Sequence, residues 1–180
     1  MQPKEKSSQQ EQKEISRAYH ESGHTMAYCV HKFKIGYISI TPDTESAGIT
    51  QPFWHPDLLN ESDSNLLVNR LVRAICGFLS EFRFDHSQNP ANDETNLEYV
   101  ANLNAIAGKD KEQADEVLFH LRSLGRDIEE CKVIALNLAG ELIDKHWEAI
   151  EALATTLVIE KTMDGERVNT ILQPFGLSAT

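Results

Sequence analysis

The sequence predicts a mainly α-helical domain that carries one small β-hairpin. Apolar residues recur at intervals of three and four through most of the chain, which is the spacing of amphipathic helices. Residues 37–41 instead alternate between polar and apolar side chains, and a polar loop separates them from a second short run at 48–50, as in a hairpin. A length of 180 residues and a hydrophobic content of 41% suit one domain with a core of its own.

The remaining elements are expected in the following order. Residues 1–12 are rich in Gln, Lys, Glu and Ser, which predicts a disordered N-terminal arm or the frayed start of a helix. The folded domain is expected over residues 13–180. Asp110 and Gly125 are the expected caps of the fourth helix, and Gly140 is the expected place for a bend in the fifth. Helices are expected over 14–33, 64–84, 93–107, 110–124 and 127–161, with a short last helix that ends at 172.

Composition excludes several classes of function. The net charge of −11, from 17 Lys and Arg against 28 Asp and Glu, argues against nucleic-acid binding, which needs a basic face. No apolar run approaches the roughly 18 residues of a membrane span, and there is no apolar signal segment and no G-x-x-x-x-G-K-[ST] loop for ATP. The cysteines are three and widely separated, which favours buried free thiols in a reducing, cytoplasmic setting: Cys29, Cys76 and Cys131.

The first predicted helix contains the motif H-E-x-x-H at residues 20–24. His20 and His24 are one helical turn apart on the same face, so both imidazoles can bind one zinc ion. Glu21 lies beside them and can accept a proton from a metal-bound water. The alternative interpretation is an exposed polar face of the helix, but the motif lies within an amphipathic helix and is followed by a short strand, which favours a metal site.

A catalytic zinc needs three protein ligands and one open position. The candidates for the third ligand are Asp93, Glu81, His86 and Asn96. Asp93 opens a predicted helix, and apolar residues at +4, +7 and +8 place it on the buried face, where a carboxylate needs a partner. Its alternative role is that of a helix N-cap. Glu81 lies among apolar residues and could be a ligand, a hydrogen-bond partner of a ligand or half of an ion pair.

Several segments resemble the FtsH-type zinc proteases. The residues Ala18-Tyr19-His20-Glu21-Ser22-Gly23-His24 resemble that family's A-x-H-E-A-G-H. Weaker similarities cover the rest of residues 15–172: the strand pair 38–42 and 47–50, the helix around Gly77 and Glu81, Asn92-Asp93, and the closing helices from 147.

The resemblance implies a zincin-like helical peptidase domain with Zn²⁺ held by His20, His24 and Asp93. It also implies a hexamer formed through peptidase domains. The family's template also fits three residues later, with Asn96 in the ligand position, but Asn is a neutral and weaker zinc ligand, so charge and helix position favour Asp93. The family joins this domain to a membrane anchor and an AAA+ ATPase, which this sequence does not contain.

The leading hypothesis is therefore a zinc metalloendopeptidase in which Glu21 is the general base and which cleaves unfolded polypeptides without an ATPase of its own. A separate AAA+ ATPase is an expected partner. A substrate segment could add as an extra strand to either strand of the hairpin, at the residues Ile38, Ser39, Ile40, Gly48, Ile49 and Thr50. The alternatives are a non-catalytic, peptidase-like adaptor that binds metal weakly or not at all, and a helical oligomerisation module.

Overall fold

A computed structural model describes residues 3–42, 47–53, 62–88, 106 and 108–178, with side chains from residue 8 onward. Within these residues the fold is mainly helical with a small antiparallel sheet, which confirms the predicted class at that level. None of the described helices is long and apolar enough to span a bilayer. The elements are α1 (Pro3–Val30), β1 (Ile35–Ser39), β2 (Ile49–Pro52), α2 (Ser64–Gln88), α3 (Gly108–Ser123), α4 (Ile128–Glu160), β3 (Thr162–Asp164), α5 (Gly165–Leu172) and a 3₁₀ turn (Gln173–Phe175).

The helices differ from the prediction at two points, and a third predicted helix is not covered by the described residues. Helix α1 begins at Pro3, so of the two alternatives predicted for this segment the start of a helix fits and a disordered arm does not. Its Gln, Lys and Glu residues are good helix formers, and the side chains from 8 to 13 are exposed. The irregularity in α4 lies at His146 (φ −117°, ψ 19°) and not at Gly140. The helix expected over 93–107 falls almost wholly outside the described residues.

The sheet has three strands in the order β2-β1-β3, and β1 is antiparallel to both neighbours. The hairpin was expected, whereas β3 was not. Only three residues form β3, and Met163, which is 2% exposed, faces the core from it opposite Ile38. Asp164 then caps α5 by accepting a hydrogen bond from the main-chain N–H of Arg167 at 2.8 Å.

Helix α1 is the central element of the core. It packs against α2, α4 and the first two strands, and every side chain from Ala18 to Cys29 is buried or half-buried. The ring of Tyr19 stacks between Phe84 of α2 and Trp147 of α4, with centroids 4.2 and 5.4 Å away. The H-E-x-x-H segment is therefore held on several sides, rather than by one apolar stripe.

The crossing of α1 and α2 depends on a glycine. A Cβ atom at Gly23 would collide with the main-chain oxygen of Cys76 and with the side chain of Ser80, which is fully buried. Since a main-chain atom cannot move without shifting its helix, any larger residue at this position must push α1 and α2 apart.

We expect Gly23→Ala to destabilise the fold by about 1–3 kcal/mol through overpacking. Gly140→Ala is the matched control, because Gly140 is also inside a helix but a Cβ there meets nothing within 4 Å. It should stabilise the protein by about 0.5–1 kcal/mol, the usual gain from replacing a helical glycine. The free energies of unfolding in urea measure both. A Gly23→Ala protein as stable as Gly140→Ala would contradict the close approach.

Candidate metal centre

The two histidines of α1 are fixed by their Nδ1 atoms. The Nδ1 of His24 lies 2.8 Å from the main-chain oxygen of Arg73, and the Nδ1 of His20 lies 2.9 Å from Oε2 of Glu81. Both partners belong to α2 and both are acceptors, so each Nδ1 carries the hydrogen. In the neutral rings the lone pairs are then on the Nε2 atoms, which is the tautomer that a metal ligand needs.

A third residue, Asp110, completes the cluster from the first turn of α3. Its Oδ2 lies 2.9 Å from Nε2 of His20 and 3.2 Å from Nε2 of His24, and the two Nε2 atoms are 3.1 Å apart. Two imidazole nitrogens and one carboxylate oxygen are the usual donors of a catalytic zinc. Tetrahedral bonds of roughly 2.0–2.2 Å would separate such donors by about 3.3–3.6 Å, so the set fits after a small outward movement.

The electrostatics of the cluster favour a cation. Burial would lower the pKa of His20, but hydrogen bonds to Asp110 and Glu81 outweigh it and raise that pKa to about 10. The pKa of His24 is also raised, because the charge of Asp110 overcomes the effect of burial. Burial alone would raise the pKa of Asp110, yet the two histidines hold this pKa well below the usual range of a carboxyl group. Positive charge is therefore stabilised where the three side chains meet.

Glu21 is buried beside the cluster, with 5% of its surface exposed. The hydroxyl of Thr50 lies 3.0 Å from Oε2 of Glu21 and 2.9 Å from its main-chain oxygen, which ties strand β2 to α1. Burial raises the pKa of Glu21, and the nearby charges of His24 and His20 offset only part of the rise. A carboxylate with a raised pKa is suited to accept a proton near neutral pH.

Two glycines leave room for these side chains. A Cβ at Gly77 would overlap the Nε2 of His24, and a Cβ at Gly48 would come within 2.6 Å of Oε1 of Glu21. At each glycine, the space that a side chain would fill is occupied by an atom of the candidate site, Nε2 of His24 or Oε1 of Glu21. Gly77 belongs to the family resemblance in the sequence, and the closeness of His24 gives a physical reason for a glycine at that position.

The cluster opens into a cleft of about 1200 Å³ within the described residues. Residues 47–52, which include β2, form one wall of it, and α1 and α2 form others. Within the described part of the chain β2 pairs only with β1, so its outer edge can accept an extended segment. Strand β1 cannot, because it is paired on both sides. Ile38 and Ser39 are paired on both sides and Ile40 follows that strand, so of the predicted substrate-strand residues only those at 48–50 lie at an accessible edge, and substrate binding there stays a prediction.

The predicted site residues are placed as follows. His20, Glu21 and His24 lie together at the cleft, and Glu81 contacts His20 rather than the point where the donors converge. Asp93 and Asn96 lie outside the described residues.

Sequence reasoning did not select Asp110, which it interpreted as a helix cap. A signal for Asp110 exists in the sequence, because apolar residues follow it at +4, +7 and +11, in the same kind of pattern that favoured Asp93. These residues are buried in the structure: Ala114, Val117 and Leu121.

No protein-family model matches the chain, and no curated protein matches it. The resemblance to FtsH-type proteases therefore stays a prediction made from short motifs, and the function must be argued from the geometry of the site.

Asp110→Asn should weaken zinc binding by more than about 100-fold, since loss of a ligand's charge exceeds the roughly 10–100-fold cost of losing a residue that only supports a ligand. Asp115→Asn, on the same helix with an exposed side chain paired to Lys111, should bind zinc as the wild type does. The dissociation constants can be measured by competition with a chromogenic chelator. If Asp93→Asn rather than Asp110→Asn abolished binding, the assignment of the third ligand to Asp110 would be wrong.

Proposed function

We propose that this protein is a zinc metalloendopeptidase with a zincin-like site formed by His20, His24 and Asp110. The observation that carries the proposal is the convergence of these three donors beside the buried carboxylate of Glu21, at the base of an open cleft. An ion held there would supply Lewis-acid polarisation of a carbonyl group and would lower the pKa of a bound water toward about 7.

The protein groups have distinct roles in this proposal. Glu21 accepts the proton of the attacking water and later carries it to the leaving amine. Thr50 holds the carboxylate of Glu21 by its hydroxyl, so that one oxygen is fixed while the other, Oε1, is directed toward Gly48. Glu81 and the main-chain oxygen of Arg73 keep the two imidazoles in the correct tautomer and orientation.

Strand β2 supports a polypeptide as the substrate. An extended segment paired to its outer edge would make main-chain hydrogen bonds along the wall of the cleft, and such binding depends little on side chains. Unfolded chains can present such a segment, whereas folded ones cannot. Since the sequence has no ATP-binding loop, unfolding would need a separate AAA+ ATPase. That partner, a hexameric assembly and a cytoplasmic location are further parts of the proposal that rest on the sequence.

The state of Glu21 favours an enzyme over a metal-binding adaptor. Burying a carboxylate is costly, and a purely structural zinc site needs no such group next to its ligands. Here the buried carboxylate is stabilised by a hydrogen bond from the hydroxyl of Thr50 on another element, and the glycine at position 48 leaves space for Oε1. A role of Glu21 in proton transfer explains why a carboxylate is buried there, whereas an adaptor would have no use for it.

Glu21→Gln should lower kcat/KM on casein or a quenched peptide by about 10²–10⁴-fold, the range typical of general acid–base catalysis, with zinc content unchanged. Glu141→Gln, an exposed position on α4, should cleave as the wild type does. Metal content by atomic emission and initial rates decide the outcome. Equal cleavage by the wild type and the Glu21→Gln variant would refute the role of Glu21, and a wild type that binds zinc but cleaves nothing would favour the adaptor.

The two glycines at the site should separate metal binding from catalysis. Gly77→Ala places a methyl group on the Nε2 of His24 and should weaken zinc binding, whereas Gly48→Ala presses on Glu21 and should lower kcat with zinc retained. Overpacking of about 1–3 kcal/mol corresponds to roughly 5- to 150-fold in each case. Zinc titration and kcat measured on both variants test this, and identical profiles would contradict it.

A further inference from the structure

A second, smaller pocket opens beside the metal centre. Its volume is about 240 Å³, and it shares three lining residues with the main cleft, namely Tyr28, Arg73 and Gln113. Arg70 and Val117 complete its lining. Sites for drug-sized ligands and cofactors usually occupy roughly 300–1,000 Å³, so this pocket is of a size for one side chain or chain end of a larger ligand.

Arg73 is the main polar group of the pocket and is held firmly. Only 5% of its surface is exposed, and its guanidinium lies over the rings of Phe33 and Tyr28, 4.7 and 5.5 Å from the centroids. Its Nη1 also lies 3.5 Å from the Nδ1 of His31. The same residue binds the Nδ1 of His24 by its main-chain oxygen, so the guanidinium has a fixed relation to the metal centre.

A second guanidinium comes from Arg70, almost one turn earlier on α2. Its side chain is 16% exposed, and its contact with the half-exposed carboxylate of Glu116 is long, 3.5 Å from Nη2 to Oε2. Two largely buried arginines are unusual in a chain whose net charge is −11. The charge of Arg73 acts on a neighbouring group: burial and, after it, this charge lower the pKa of His31 to about 4.

We propose that this pocket binds a carboxylate of the substrate polypeptide, next to the bond that is cleaved. The inference rests on the proposed function, because the cleft that the pocket joins would then hold an extended chain. The carboxylates of such a chain are the side chains of Asp and Glu and the C-terminus. Guanidinium groups bind carboxylates in paired hydrogen bonds, and these are strong where water is excluded. The phenol of Tyr28 and the amide of Gln113 can donate further hydrogen bonds to the same anion.

The pocket would give the enzyme a preference that the edge of β2 cannot give. Pairing along a strand recognises main-chain atoms, whereas a cationic pocket distinguishes one side chain from its neutral isostere. Cleavage would therefore be favoured at sites with an acidic residue at one fixed position, or near a free chain end.

The test compares quenched peptides that differ only in Glu, Gln or Leu at each position around the cleavage site, and a parallel pair with a free or an amidated C-terminus. Zinc-loaded wild type should cleave the best Glu peptide with a kcat/KM at least about tenfold above its Gln counterpart. Arg70→Gln should remove that preference and retain cleavage of the neutral peptides. Arg70→Lys should restore part of it, and Arg122→Gln, an exposed position on α3, should behave as wild type. A preference confined to the free C-terminus identifies the chain end as the bound carboxylate.

Equal cleavage of Glu and Gln peptides, together with equal cleavage of free and amidated ends, would overturn the proposal and leave the peptidase function intact. A wild type without any cleavage would refute the proposed function instead. The pocket is then judged by NMR titration of the full chain with N-acetyl-glutamate N-methylamide and its Gln counterpart. Selective binding of the Glu compound by wild type and its loss in Arg70→Gln would support the carboxylate site, and absence of selective binding would exclude it.

Discussion

The hydrogen bond from Nδ1 of His24 to the main-chain oxygen of Arg73 is the contact on which the rest of the site depends. It joins the two central helices, and because its acceptor is a main-chain atom, that partner cannot adjust by side-chain rotation. It also fixes the tautomer of the imidazole and turns its Nε2 toward His20 and Asp110. This contact forms only because α1 and α2 approach closely, which the glycines at positions 23 and 77 allow.

Helix α2 contributes to the site along one face. Arg70, Arg73, Gly77 and Glu81 follow each other at intervals of three or four residues, which places them on one side of a helix. In that order the helix supplies a cation to the small pocket, an acceptor for His24, space for its Nε2, and an acceptor for His20. A rotation of α2 about its axis would disturb all four together. The stacking of Tyr19 between Phe84 and Trp147 opposes such a rotation, since it ties α2 to α1 and α4.

The sequence predicts those parts of the site that are close together along the chain. The residues His20, Glu21 and His24 lie within one stretch of a single helix, and helical geometry alone brings the imidazoles together. The third carboxylate could not be selected this way, because Asp110 is 86 positions from His24 and its place depends on the path of the chain. Asp93 and Asp110 each begin a predicted helix with apolar residues at +4 and +7, so a local pattern cannot choose between them.

The sheet illustrates the same limit. Alternation predicted the hairpin, but β3 is three residues long and too short to show a period. Its pairing with β1 is what removes one edge of the hairpin, and this pairing joins Ser39 to Thr162, 123 positions away. The choice of β2 as the accessible edge is therefore a consequence of tertiary structure. From the sequence alone, both hairpin strands are equally suitable as the accessible edge, and only the pairing of β3 with β1 distinguishes them.

Acidic and basic side chains occupy different sides of the cleft, and this separation affects which ligands can bind there. Asp110, Glu81 and Glu21 surround the imidazoles and stabilise a cation there, whereas Arg70 and Arg73 form a positive region on the adjoining side. A carboxylate of a substrate would be repelled by the first group and attracted by the second. The two regions share α2, so their separation is fixed by the helix and not by mobile side chains. An acidic chain thus has two arginines beside the carboxylates of its candidate metal centre, and burial of Arg73 among Tyr28, Phe33 and the lining of the small pocket limits the screening of its charge by water.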